Sequence, residues 1–267
     1  MIHLTPQTLA VSMVVVGWRK PDGSTEGMHT QGTGFHVEWK NRHFLISNRH
    51  VLCQPPRVIW TNGATPIIAW PVLFVTYPSA SGYREIAYPL FEGTPPVPKV
   101  VAHTNPFYDL ARIEINLPQD SIAQTVDLSD ALTNAPAYQY LGMPHVGQDA
   151  FVIGYPTGFN TLGAPVRKSG SLASETEINP TYQMPEGGGV LTNAPVYVLD
   201  GTFRPGMSGS PVFVQAEFPN SVPTAKELVR LKPDNPPLFI GVYSSFDPGR
   251  ELHFVWKASA VAELLEQ

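Results

Sequence analysis

Prolines constrain this chain more than any other feature. There are 28 among 267 residues, in a sequence that is 43% hydrophobic and only 15% charged. A proline inside a helix removes a hydrogen bond and clashes with the preceding turn, and in a sheet it is confined to edges, strand starts and bulges. Here the prolines fall among short apolar runs at 58–60, 67–70, 72–77 and 85–90. Many short apolar runs separated by turn residues predict an all-β chain. Residues 9–18, rich in β-branched side chains, read as the first strand, followed by a turn over 20–24. Residues 34–39 and 42–47 read as a hairpin closed by Lys40 and Asn41, whose register keeps His36 and His43 at solvated or rim positions. Further strands are expected at 109–115, 150–156, 166–174, 194–199, 212–214, 238–246 and 254–256. Helix is confined to a short stretch over 225–231, between Pro223 and Pro233, and to an amphipathic segment over 258–266 with Val261, Leu264 and Leu265 on one face.

Against this background the stretch Asp200-Gly201-Thr202-Phe203-Arg204-Pro205-Gly206-Met207-Ser208-Gly209-Ser210-Pro211 stands out. Acyl transfer needs a nucleophile exposed on a tight turn with backbone N–H groups beside it. Gly206 has no Cβ, so its N–H and that of Ser208 can point at a developing oxyanion. The plainer reading is a polar turn between two strands, because glycine, serine and proline are ordinary turn residues.

A serine is a poor nucleophile until a base takes its proton and a third group orients that base. Two other segments supply such groups. His50 follows the apolar run 44–47, and Asp109 stands at the entry to the alternating strand 109–115. The order along the chain is His50, Asp109, Ser208.

These segments, with Gly32-Thr33-Gly34-Phe35 before the histidine, Asp109-Leu110-Ala111, Gly154-Tyr155-Pro156 followed by Ser169-Gly170-Ser171, and the serine stretch, resemble in order the motifs of the trypsin-like serine proteases. The resemblance is to the disulfide-free, HtrA-like kind and covers most of the chain. It implies two six-stranded antiparallel β-barrels of chymotrypsin type with a C-terminal helix. On that basis residues 1–125 carry the histidine and the aspartate, and residues 126–267 carry the serine and the helix. It further implies a serine endopeptidase acting through an acyl-enzyme: His50 the base, Asp109 its orienting partner, Ser208 the nucleophile, and Gly206 and Ser208 N–H the oxyanion hole. Ser244, Ser245 and Phe246 fall where relatives pair with the substrate backbone and wall the first specificity pocket. Thr202 stands where trypsin has a charged pocket floor, which implies small or apolar residues before the scissile bond, while His253 could reach the pocket and favour an acidic one. Met207 replaces the aspartate that receives a new N-terminal amine in secreted relatives. Activation by N-terminal trimming is therefore not expected, and ordering by a substrate or a regulatory protein partner is. Two other classes stay open: a catalytically silent binding module on a protease fold, and an α/β-hydrolase esterase using Ser208, Asp247 and His253.

Other features exclude functions. The net charge of −5 and pI near 5.9, without a basic cluster, leave nucleic acid no electrostatic footprint. No run of about 18 apolar residues spans a membrane, and the apolar stretch 9–17 lacks the preceding basic residue of a signal peptide. The lone Cys53, expected as a small buried hydrophobe, can form no intrachain disulfide, which favours a reducing, cytoplasmic setting. The eight histidines lack ligand spacing, so no metal is implied. The three glycines at 187–189 precede no helix that would make them a phosphate cradle. The expected partner is a polypeptide substrate, with no cofactor, and the sequence leaves the oligomeric state open.

Overall fold

A computed structural model of the chain describes residues 10–59, 66–126, 128, 144–157, 164–175, 178–183, 190–214, 237–247 and 251–267. The short helix expected at 225–231 and the glycines 187–189 lie outside them, as does most of the segment joining the two halves.

Ten strands belong to the N-terminal half: β1 (Val11–Arg19), β2 (Thr25–Trp39), β3 (Arg42–Ser47), β4 (Arg57–Ile59), β5 (Ile67–Ser79), β6 (Gly82–Pro89), β7 (Phe91–Glu92), β8 (Val97–Pro98), β9 (Val100–Ala102) and β10 (Ala111–Glu114). A one-turn helix α1 (Arg49–Leu52) follows β3. Eight of the strands form one antiparallel sheet in the order β4-β5-β1-β2-β3-β10-β9, with β6 also on β5; β7 and β8 pair with each other. The C-terminal half holds β11 (Asp149–Gly154), β12 (Val166–Leu172), the small pair β13 (Tyr182–Gln183) and β14 (Val190–Leu191), β15 (Val196–Gly201), β16 (Pro211–Val214), β17 (Leu238–Asp247), β18 (Leu252–Lys257) and helix α2 (Ala258–Glu266). Six of these strands close a barrel in the order β11-β12-β15-β18-β17-β16. The chain is thus all-β with a C-terminal helix, as expected. Among the described residues the N-terminal sheet curls into a half-barrel and the C-terminal one closes.

Local chemistry accounts for several elements. The hairpin β2–β3 turns at Lys40 and Asn41, with φ of 50° and 60°, the positive pair that a tight two-residue hairpin requires. The runs 67–70 and 72–77 are one strand, β5, rather than two. Pro71 sits between the residues paired with β4 and those paired with β6, so its missing N–H interrupts neither ladder, while its carbonyl accepts from Leu90 N–H at 3.2 Å.

Apolar packing joins the halves. Phe35, Phe44 and Ile46 of the N-terminal sheet share one cluster with Phe151, Phe239 and Trp256 of the barrel and with Val261, Leu264 and Leu265 of α2. The rings of Phe35 and Phe239 lie 5.5 Å apart. Burying such a shared face keeps the two sheets docked, at roughly 25 cal/mol per Å² of apolar area removed from water. Every strand pairing described is antiparallel. This removes the α/β-hydrolase alternative, which needs a parallel sheet with helical crossovers.

Two residues differ from expectation. His36 is buried, at 1% exposure: it alternates with Phe35 and Val37, which join the cluster shared with the barrel, and so faces the other side of the sheet, opposite Leu45 and against Ser12 of β1. Its Nε2 meets Ser12 Oγ at 2.7 Å, and burial lowers its pKa to about 4. Cys53 is exposed rather than buried, because it falls at the end of α1 beyond the apolar pair Val51 and Leu52. Desolvation around its sulfur still pushes the thiol up to about 11, which keeps it protonated and unreactive at neutral pH.

Candidate active site

Sheet register brings the histidine and the aspartate together. Ser47, the last residue of β3, lies opposite Ala111, the first of β10. The segments just beyond these ends, Asn48 to His50 and Asp109, are therefore neighbours. Burial of Val51 and Leu52 anchors α1 and leaves His50 facing outward with a side chain 49% exposed. Asp109 is 12% exposed and accepts from His50 twice, at Oδ2 from ring Nδ1 (2.7 Å) and at Oδ1 from the backbone N–H (2.9 Å). With a carboxylate on Nδ1 the proton belongs there, and Nε2 is left as the acceptor. Asn48 Nδ2 ties the backbone carbonyl of Asp109 at 2.8 Å. Ser244 Oγ, from the other half, donates to Asp109 Oδ2 at 2.7 Å.

The serine turn is held by its carbonyls. Gly206 and Gly209 have φ of +88° and +85°, a region that side-chain-bearing residues enter with strain. A Cβ on Gly206 would stand 2.6 Å from the Tyr155 carbonyl and 2.7 Å from Thr157 N, and one on Gly209 would collide with Ser47 Oγ and the Thr33 carbonyl. The Pro205 carbonyl accepts from Thr157 N–H (2.8 Å) and Thr157 Oγ1 (3.0 Å), and the Met207 carbonyl accepts from Ser210 N–H (3.0 Å). In a trans peptide the N–H points opposite to the carbonyl. Pinning these two carbonyls therefore turns the N–H groups of Gly206 and Ser208 the other way. Among the described residues neither N–H has an acceptor in the chain. Ser208 Oγ donates to the Ser244 carbonyl at 3.1 Å. Ser244 thus touches both halves of the site: its carbonyl accepts from Ser208, and its hydroxyl donates to Asp109, the partner of His50.

A pocket of about 540 Å³ opens beside Ser208, lined by Thr202, Phe203, Tyr243, Ser244, Ser245 and His253. Thr202 is exposed; the buried wall is Phe203, Tyr243 and His253. His253 Nε2 lies 3.0 Å from the Gly201 carbonyl, which can only accept, so Nε2 carries the proton. Nδ1 then accepts from Tyr243 OH at 2.9 Å. Burial lowers the pKa of His253, and the imidazole is neutral with both nitrogens engaged. The charged residues along the pocket, Asp200, Arg204 and Glu251, are all solvent-exposed. Phe246 is described by its backbone alone, opposite His253 in the β17–β18 ladder. β16 pairs with β17 only as far as Val242, so among the described residues the following edge, from Ser244 onward, has no strand partner on the side of Ser208. Met207 is fully buried in the barrel's apolar core with Leu199, Phe203 and Tyr243. Where a carboxylate would need a buried cation, this turn has a thioether held by packing.

Sequence reasoning missed the roles of Thr33, Thr157, the Ser244 hydroxyl and the Tyr243 wall beside His253. Only Thr33 carried a signal, standing between two glycines in an apolar strand, a pattern that marks close backbone approach. Among the described residues no three His, Cys, Asp or Glu come together to hold a metal ion, and no helix is long and apolar enough to cross a membrane.

The fold is thus two antiparallel β halves, one carrying the hydrogen-bonded His50–Asp109 pair and the other the Ser208 turn, with Ser244 between them. The chain belongs to the trypsin-like peptidase domain family, whose sequence profile matches residues 32–217. Among solved structures, the active form of the Rv3671c protease from M. tuberculosis is similar to it with a TM-score of 0.48 at 18% identity, over 97% of this chain and 81% of that one. The inactive form of the same protease gives 0.47 at 17% identity, over 97% and 89%. No curated protein matches the chain.

Proposed function

We propose that this protein is a serine endopeptidase with Ser208 as nucleophile, His50 as general base and Asp109 as the group that holds the imidazole. The observation that carries this reading is the double hydrogen bond from His50 to Asp109, through ring and backbone, beside a turn whose Gly206 and Ser208 N–H groups face away from their anchored carbonyls. A polypeptide adds as a strand along the open edge of β17, placing its scissile carbonyl over Ser208. Ser208 Oγ turns from the Ser244 carbonyl to attack, and His50 Nε2 takes its proton. Negative charge gathers on the carbonyl oxygen, where the two N–H groups stabilise it. His50 then returns the proton to the leaving amine, giving an acyl-enzyme that water cleaves by the same steps in reverse order.

The pocket favours an uncharged residue before the scissile bond. Phe203 and Tyr243 offer apolar surface, and the neutral His253 has no spare charge for a carboxylate. A desolvated lysine or arginine would lack a buried partner, at a cost of several kcal/mol. The buried Met207 favours a turn ordered by packing, without an N-terminal amine.

The test is labelling by a fluorophosphonate probe together with a peptide-library cleavage profile. Labelling at Ser208, lost in Ser208→Ala and in His50→Ala, is expected, with cleavage after Ala, Val or Leu exceeding that after Arg or Lys. Absence of labelling in folded wild-type protein would leave a silent binding module on a protease fold. Strong preference for Arg or Lys would overturn the pocket argument alone.

A further inference from the structure

Thr33 is a single buried residue in β2, in the half that carries His50 and Asp109, yet its polar groups meet the serine turn of the other half. It is 0% exposed. Its N–H donates to the Ser208 carbonyl at 2.8 Å. Its hydroxyl donates to the Gly206 carbonyl at 3.0 Å and accepts from Tyr155 N–H at 2.9 Å. Its own carbonyl accepts from Ser47 Oγ at 2.7 Å, which ties it to the end of the strand that leads to His50.

Gly206 is the residue whose orientation matters most and whose backbone is freest. Two peptide planes meet at its Cα. The plane before it is held through the Pro205 carbonyl by Thr157. The plane after it carries the Gly206 carbonyl, and the Thr33 hydroxyl is the side-chain group bonded to it. Holding both planes fixes φ and ψ of Gly206 together. Releasing the second lets the Gly206–Met207 peptide turn and displaces Met207, whose carbonyl shares a plane with the Ser208 N–H. The same hydroxyl also fixes Tyr155, two residues before Thr157, so both anchors depend on it.

We propose that Thr33 is a positioning residue for the oxyanion-binding N–H groups, coupling their geometry to the docking of the histidine-bearing sheet on the serine-bearing barrel. This rests on the reading of Ser208 as nucleophile and deepens it. Thr33 touches no substrate. It acts through Gly206, so its loss is felt where charge develops and not where substrate binds.

The experiment compares Thr33→Val, which deletes the hydroxyl at nearly constant shape, with Thr33→Ser, which keeps it. The readouts are kcat and KM on a peptide p-nitroanilide with leucine before the scissile bond, and affinity for the corresponding peptide aldehyde and peptide acid. The aldehyde's adduct places an oxyanion in the hole; the acid reports ordinary binding. Removing one oxyanion donor outright costs on the order of 10²–10³ in kcat. A misaimed donor should cost Thr33→Val about 10–100-fold in kcat, with KM within about two-fold and an equal loss in aldehyde affinity but not in acid affinity. Thr33→Ser should recover to within a few-fold of wild type. If Thr33→Val does not fold, Thr33→Ala carries the same test without a methyl against the Gly206 carbonyl. A folded hydroxyl-free variant with wild-type kcat, or losses shared equally by aldehyde and acid, would overturn the proposal. Wild-type rates in Ser208→Ala would instead remove the nucleophile assignment, and this inference with it.

Discussion

The two halves of the site are built by different means. His50 and Asp109 come from one sheet: a single register, Ser47 opposite Ala111, sets their segments side by side, and the chemistry lies in exposed or half-buried side chains. The serine turn is built from backbone. In the proposed reading its working groups are two N–H donors, and the atoms that aim them belong to Thr157, Ser210 and, across the interface, Thr33. Side-chain chemistry tolerates local motion, since a hydrogen-bonded pair can move together. Backbone donors tolerate little, because their aim is the aim of the whole peptide plane. The difference teaches that the histidine side should fail chemically when altered, and the serine side geometrically.

The largest expected effect breaks the chemical side alone. Asp109→Asn keeps the shape but puts a donor where Nδ1–H needs an acceptor, and kcat should fall by about 10⁴ with little change in the melting temperature. His50→Ala and Ser208→Ala should fall at least as far, and the double variant no further than either single, because the groups act as a unit. Additive losses in steady-state kinetics would show that they do not.

Next comes a pair of glycine substitutions that sharpens the geometric side. Gly209 and Gly23 share a φ of +85°, but a Cβ on Gly209 would collide with Ser47 and Thr33, whereas one on Gly23 meets nothing within 4 Å. Gly23→Ala should cost about 1 kcal/mol of backbone strain, and Gly209→Ala about 3 kcal/mol or more, because the halves must separate to admit it. Urea unfolding measures both; equal losses would mean that the interface yields freely.

Acid tests the histidine-bearing sheet as a structure. His36 is neutral in the fold, with a pKa lowered to about 4 by desolvation from an ordinary 6.5. Its contribution is fully present above pH 6.5 and is lost as the pH falls towards 4, because the unfolded chain takes up the proton first. The loss is up to about 3 kcal/mol. Thermal melts from pH 7 to 4 should show this decline in wild type and a shallower one in His36→Gln. Identical slopes would place the acid sensitivity elsewhere.

The smallest effect is where the two sides touch. Ser244→Ala removes one hydrogen bond to Asp109 and leaves the two from His50. A loss of about ten-fold in kcat is expected, in line with one charge-assisted bond. A loss approaching that of Asp109→Asn would make Ser244 an equal partner in orienting the carboxylate.

Much of this was legible in the sequence because it is local. Proline-punctuated apolar runs marked the strands, the positive-φ pair Lys40–Asn41 closed its hairpin, and a histidine after one strand, an aspartate before another and a glycine-flanked serine named the candidate residues in order. Each depends on neighbours within a few positions. What depended on the partner strand was not legible. Period-two alternation tells which side chains share a face, but not which sheet will cover that face. Hence His36 reads as a rim residue yet is buried against Ser12 on the inner face of its own curled sheet, and Cys53 reads as buried yet reaches solvent. Pro71 reads as a strand break yet falls at the changeover between two partner strands. The anchors of the serine turn are the extreme case. Thr33 is 173 residues from the carbonyl it holds and 122 from the N–H it accepts. Only docking one sheet on the other brings them within hydrogen-bond reach, because a buried carbonyl must find a donor wherever the fold provides one.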